Sequence, residues 1–159
     1  MTDHYPPRAF GDERTTLVAL LQYLRESVVR KVEDLSDDDA RRSFVPTGTS
    51  LMWLVKHLAR AEALWVLERF AGQQVELELV DHAVGPNDTV EAAIARYRST
   101  WERVDAVVAA SDLDTIRVGV DEEVNPDLRW VIAHLVEETA RHAGHADILR
   151  ELIDGEVGR

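Results

Sequence analysis

Apolar residues recur at helical spacing in four long segments of this chain, and this periodicity limits the fold more than any other feature. The segments span residues 13–35, 50–72, 89–111 and 126–153. Their apolar stripes are too broad for a coiled-coil seam and too often interrupted by charges to cross a membrane. Amphipathic helices of this kind bury their stripes by packing around a shared core. The sequence therefore predicts an all-α protein built as a four-helix bundle.

Capping residues mark where these helices should begin and end. We expect the four helices to start at Asp12, at Thr49 or Ser50, at Asp88, and at Asn125 followed by Pro126, and two of them to end at Gly72 and Gly155. Ser36 opens a short acidic turn, in which the aspartates at 37–39 are predicted to form a solvated helix start and not a calcium loop. The connection over residues 73–87 is long enough for a crossover between the second and third helices, which need not be hairpin partners. Residues 1–11 are predicted to be an N-terminal arm and residues 12–155 a single domain.

The composition excludes several classes of partner and site. With 18 basic and 30 acidic residues and a formal net charge of -12, the chain would repel nucleic-acid backbones and anionic membranes. It has no run of about 18 apolar residues and no signal peptide, so we expect a cytoplasmic protein. It contains no cysteine, so any metal ion must be held by histidine and carboxylate side chains.

Two polar residues, Glu138 and His142, interrupt the predicted core stripe of the fourth helix. Because they are four positions apart, both project from one face about one turn apart, which is the spacing at which a helix offers two ligands to one ion. His134 and His145 extend the same face in either direction. His57 borders the apolar face of the second helix. An inward carboxylate needs a partner, and a cation shared with these histidines would supply one.

A plainer interpretation of the same residues stays open. A lone histidine on an apolar face is more often a hydrogen-bonded core residue than a ligand, and Glu138 could pair with an arginine such as Arg60. His4 and His82 fall outside the predicted helices, and we expect both to be exposed loop residues outside the site. The four tryptophans are spread over three helices without a basic groove, so they are predicted to anchor the core or an interface.

Two segments resemble the DinB-like superfamily, in its actinobacterial branch: PTGTSLMWLVKHLARAE at 46–62 and RWVIAHLVEETARHAGHADILRELIDG at 129–155. The resemblance implies a four-helix bundle that holds a divalent ion with one histidine of the second helix and two ligands four apart on the last helix. On that pattern His57 is the first ligand and His142 the last. Where many relatives have another histidine, this chain has Glu138, as mycothiol-dependent maleylpyruvate isomerase-like members do. The third ligand therefore stays open between Glu138 and His145.

The same resemblance implies a metal-dependent enzyme. By similarity the ion is zinc, with nickel as the alternative, and it activates a low-molecular-weight thiol such as mycothiol or bacillithiol for S-transfer or isomerisation. Three protein ligands leave one coordination position open, where a cation lowers the pKa of a bound thiol or water. The alternatives are a non-catalytic bundle that binds a metal or small ligand, and a metal-assisted hydrolase. We expect a small-molecule substrate and a homodimer.

Overall fold

A computed structural model of the protein describes residues 5–8, 11–76, 81–116 and 125–158. Its helices are α1 (Glu13–Arg30), α2 (Asp37–Arg41), α3 (Leu51–Glu62), which continues directly as a π-helical segment (Ala63–Phe70), α4 (Val90–Ala109) and α5 (Leu128–Asp154). Within those ranges, β-type pairing is limited to one isolated antiparallel bridge between residues 116 and 127. The all-α prediction is confirmed. None of the helices described is both long enough and apolar enough to cross a membrane.

The four long helices, α1, α3, α4 and α5, pack around two core clusters at opposite ends of the bundle. The first cluster includes Val28, Leu54, Tyr97 and Ala146, and the second includes Leu21, Val66, Val104 and Leu135. α3 and α4 both run from the first cluster to the second, whereas α1 and α5 run the other way. Because α3 and α4 are parallel neighbours, the chain between them must return along the length of the bundle. The predicted bundle with a long crossover is confirmed, although residues 77–80 of that connection lie outside the described ranges.

Several predicted helix ends are confirmed by their capping hydrogen bonds. The side chains of Asp12, Ser36 and Ser50 each accept a hydrogen bond from the backbone amide three residues further on. Ser50 and not Thr49 therefore starts α3, and the acidic run after Ser36 forms the first turn of α2. The glycines at 72 and 155 have φ of +66° and +79°, the left-handed conformation that glycine adopts most easily at a helix end. The division into an arm over 1–11 and a domain over 12–155 stays a prediction.

The first helix ends before the predicted boundary at residue 35, so that prediction is wrong. α1 stops at Arg30, after which the amide of Lys31 turns back to the carbonyl of Val28 at 3.2 Å and residues 31–34 form turns. The carbonyl of Lys31 accepts a hydrogen bond from Arg150 of α5 at 3.1 Å. A side chain from a distant helix thus takes the place of the next helical turn, which no local pattern could indicate.

The predicted starts of the last two long helices are also wrong. Thr89 and not Asp88 caps α4, because the Asp88 carboxylate instead pairs with Lys56 at 2.6 Å. Asp127 caps α5, so the Asn125–Pro126 pair precedes the helix and does not start it. Both errors come from neighbouring residues that can all cap a helix, among which tertiary contacts decide.

A buried ion pair joins α1 to α3. Arg25 and Glu62 are both fully buried, and the guanidinium contacts both carboxylate oxygens, at 2.9 Å to Oε1 and 2.5 Å to Oε2. Arg25 also contacts Asp105 of α4 at 2.9 Å. Glu62 is the last residue before the π-helical segment, so the pair fixes α3 where its hydrogen-bonding pattern changes. Because neither charged group reaches water, Glu62 depends on Arg25 for compensation, and Arg25 depends on Glu62 together with Asp105.

Removal of one member of this pair should strongly destabilise the fold. We expect Glu62→Ala to lower the free energy of unfolding by about 3–5 kcal/mol, because it removes the buried partner of Arg25 and leaves that guanidinium paired only with Asp105, whose side chain is 47% exposed. Glu33→Ala is the matched control, since Glu33 is 50% exposed and only 4.0 Å from Arg98, and its loss should cost about 1 kcal/mol or less. Urea unfolding followed by circular dichroism measures both values. Equally small losses in the two variants would contradict this account of the pair.

Candidate metal-binding site

α3 and α5 pack against each other in antiparallel orientation, and their facing surfaces bring three polar side chains together. His57 lies on α3, and Glu138 and His142 lie one turn apart on α5. Nε2 of His57 is 3.0 Å from Oε1 of Glu138, and Nε2 of His142 is 3.2 Å from the same oxygen. One potential ligand atom of each residue lies within 4.8 Å of the other two. These three residues form what we call the triad.

Trp53 restricts the orientation of the first of these imidazoles. Its indole lies one turn before His57 on α3 and stacks on that ring, with centroids 4.6 Å apart and planes only 8° apart. The same indole meets His142 edge-on at 6.2 Å between centroids. A stacked ring cannot rotate freely, so Trp53 keeps Nε2 of His57 directed at Glu138. The sequence indicated only that Trp53 would anchor the core or an interface.

His145 lies beside the triad but is not a member of it. Its Nδ1 is 3.3 Å from Nδ1 of His142, on the side of that ring away from Glu138, and its side chain is exposed. Of the two residues that the sequence left open as a third ligand, Glu138 is therefore the one whose oxygen lies among the imidazole nitrogens. A contact of this kind determines which nitrogen of His142 carries the proton.

The other residues that the sequence associated with this face have different contacts. His134 lies one turn before Glu138, but its ring stacks on Trp130 at 5.0 Å and meets Trp65 edge-on at 4.8 Å. This aromatic group keeps His134 outside the triad. Among the residues that the structure describes, the guanidinium within salt-bridge distance of Glu138 belongs to Arg141, at 3.9 Å, and not to Arg60.

The pKa values of two triad members follow from this environment. Burial alone would raise the pKa of Glu138, but the hydrogen bond from His57 and the charges of both imidazoles together lower it. Burial and repulsion from His57 lower the pKa of His142, and the attraction of Glu138 offsets this only in part. At neutral pH Glu138 is therefore a carboxylate and His142 a neutral imidazole, and these are the protonation states in which both groups bind metal ions.

Two of the donor separations in the triad suit a tetrahedral metal ion. Zinc prefers imidazole nitrogen and carboxylate oxygen in such sites, and bonds of about 2.0–2.1 Å to one ion place neighbouring ligand atoms about 3.3 Å apart. The two nitrogen-to-oxygen distances of 3.0 and 3.2 Å are close to that separation. The three side chains are 12–18% exposed, so a fourth ligand could approach from solvent. The residues present could thus hold an ion and leave a coordination position open.

His82 is the residue near the triad that the sequence interpretation missed. It was predicted to be an exposed loop histidine outside the site. In the structure its side chain is instead half-buried, and its ring lies 5.8 Å from that of His57 and 5.5 Å from that of Trp53. Nδ1 of His57 is buried and has no hydrogen-bond partner among the described residues. His82 lies in the connection outside the predicted helices, so helical spacing could not have indicated this position. His4 lies outside the described ranges.

An all-helical bundle in which two histidines and a glutamate converge between the second and last long helices defines a DinB-like protein with a candidate metal site. The chain belongs to the mycothiol-S-transferase family, whose pattern it matches over residues 16–155. The match includes the whole triad and extends from α1 to the end of α5. Among curated proteins, none matches this chain. Family membership suggests a mycothiol-related enzyme that acts on a small molecule.

Proposed function

We propose that this protein holds a divalent metal ion at the triad and uses it to activate mycothiol for S-transfer or isomerisation of a small electrophile. We take zinc as the ion, with nickel as the alternative. The observation that carries the proposal is the approach of His57, Glu138 and His142 to within 4.8 Å in a chain of the mycothiol-S-transferase family. When bound by three protein ligands, such an ion lowers the pKa of a thiol at its open position.

Each residue at the site has a defined part in this proposal. His57 and His142 supply nitrogen donors through Nε2, and Glu138 supplies the one negative charge of the ligand set. Trp53 keeps the plane of His57 fixed by stacking at 4.6 Å. His145 contacts Nδ1 of His142 at 3.3 Å, so the Nε2 side of that ring, which faces Glu138, is the side that would bind the ion.

The chemistry requires the thiol to lose its proton before its sulfur attacks an electrophilic carbon. A carbon–sulfur bond then forms, and either a leaving group departs with its bonding electrons or a double bond is consumed. The triad side chains are only partly exposed, so a thiol bound there would be shielded from most water. A second substrate could still approach from the solvent side. A non-catalytic metal-binding bundle and a metal-assisted hydrolase would use the same three residues, so the experiments below must separate these functions.

Metal content tests the ligand set. Purified without a histidine tag, the protein should contain about one divalent ion per chain by elemental analysis, and His57→Ala and His142→Ala should lose it. His134→Ala is the matched control and should keep the ion, because His134 shares the face of α5 but stacks on Trp130. We expect His145→Ala to weaken affinity by about 10–100-fold without a change in stoichiometry. If the metal-free wild-type protein is as stable as the metal-loaded protein, the proposed site is ruled out.

Thiol binding and turnover separate the candidate functions. With Co²⁺ in place of the native ion, mycothiol should produce a thiolate-to-cobalt absorption band, whereas the same pseudodisaccharide without its thiol should not. Addition of chlorodinitrobenzene should then yield the mycothiol conjugate and chloride faster than in the absence of protein. A band without conjugate would favour the non-catalytic bundle. Hydrolysis of activated esters without any thiol band would favour the hydrolase.

The homodimer and the cytoplasmic location expected from the sequence also form part of the proposal. Sedimentation analysis of the untagged protein tests the first, and fractionation of the native cells tests the second. Neither is required for the chemistry at the triad, because all three residues come from one chain.

A further inference from the structure

A cavity of about 450 Å³ lies between the loop before α3 and the C-terminal part of α5. It is lined by Val45, Thr47 and Thr49 of the loop before α3 and by His145, Ile148 and Leu149 of α5. No lysine, arginine, aspartate or glutamate is among these residues. The aliphatic walls are open to solvent, since Val45 and Ile148 are 43% and 60% exposed. An exposed aliphatic cavity of this kind indicates a binding site for something apolar.

His145 connects this cavity to the triad. Its imidazole forms part of the cavity wall, and its Nδ1 lies 3.3 Å from Nδ1 of His142. Leu149, at the far wall, follows His142 by seven residues, which corresponds to about 10 Å along the helix. A molecule that reacts at the triad could therefore place its non-reacting part in the cavity.

The chemistry of the walls favours the second substrate over the thiol as the occupant. The hydroxyls of Thr47 and Thr49 already pair with each other at 3.2 Å. The many hydroxyls of a sugar-based thiol such as mycothiol would find few hydrogen-bond partners on the aliphatic walls, which is unfavourable. An alkyl chain or aromatic ring has no such groups to satisfy, and its burial is favourable. Neither lysine nor arginine is among the lining residues, so the cavity offers no permanent positive charge to an anionic occupant.

We propose that this cavity is the subsite for the apolar part of the electrophilic co-substrate, which is a neutral molecule with an alkyl chain or aromatic ring. The inference rests on the proposed function, because it identifies the second substrate of the same site. Straight-chain enals are suitable probes, since the reaction balances without a further reactant. The thiol sulfur bonds to the β-carbon, the carbon–carbon double bond is consumed, and the thiol proton ends on the α-carbon.

A chain-length series tests the subsite through turnover. With the metal-loaded protein and mycothiol, kcat/KM should rise from pentenal to nonenal by up to about fourfold per methylene, because each added group leaves water. Ile148→Asp should flatten this series. Leu152→Asp is the matched control, because Leu152 is also exposed on α5, at 54%, but is not a lining residue, and it should keep the slope. Equal slopes in all three proteins would overturn the proposal.

A binding measurement tests the subsite without thiol or turnover. Butanol, hexanol and octanol, which cannot react, should shift the methyl resonances of Ile148 in the full-length protein, with Kd falling as the chain lengthens. The same titration with Glu138→Ala, which lacks the triad carboxylate, should give similar Kd values. Alkanol binding in a protein that holds no metal would show that the subsite exists and that the proposed function has failed. Absence of alkanol binding in a protein that conjugates mycothiol would overturn the subsite alone.

Two controls keep the result interpretable. Val45→Asp changes the opposite wall of the cavity from a loop, and it replaces Ile148→Asp if that variant melts at a lower temperature than Leu152→Asp. Sedimentation analysis of the same variants asks whether a second copy of the chain covers the cavity. A wild-type dimer that Ile148→Asp or Val45→Asp converts to a monomer would assign this surface to the subunit interface and overturn the proposal.

Discussion

A carboxylate held between two imidazoles at a helix interface sets the requirements for the rest of this structure. Glu138 lies on the face of α5 that packs against α3, where only 18% of its side chain is exposed. A charge in that position must be compensated, and His57 and His142 approach the same oxygen at 3.0 and 3.2 Å. The positions of α3 and α5 relative to each other must therefore be fixed to within a fraction of an ångström. The arrangement suits a shared cation, which would bind all three groups at once.

Largely buried basic side chains hold α3 and α5 in this register, and they pair with carboxylates on both helices. On α3, Glu62 lies five residues after His57 and is bound to the buried Arg25 of α1. On α5, Asp147 pairs with Lys31 at 2.8 Å, and the lysine side chain is only 2% exposed. Arg150 pairs with Asp34 in the same region, at 2.5 Å. Both ligand-bearing helices are thus tied to the first part of the chain by interactions that cannot shift without exposing a buried charge or leaving it unpaired.

The sequence predicted the parts of this arrangement that depend on local spacing. Helical periodicity was sufficient for the four long helices, and the interval of four residues placed Glu138 and His142 on one face. The interval could not decide between equivalent histidines on that face, because His134 is kept out of the triad by tryptophans, one of which lies on another helix. It also gave no information about His82, which lies near the site but belongs to the connection and not to a helix. Some predicted helix ends were wrong because a contact with a distant residue decided them. Thr89 caps α4 because Asp88 is paired with Lys56.

The direct test of the account is anomalous diffraction at the absorption edge of the metal, with crystals of the untagged protein. The account predicts one anomalous peak per chain, at about 2.0–2.2 Å from Nε2 of His57, a carboxylate oxygen of Glu138 and Nε2 of His142. A fourth position at that ion should be filled by water or by a thiol and not by a protein side chain. A peak coordinated by His145 in place of Glu138, or a triad without any peak in fully loaded protein, would contradict the central claim.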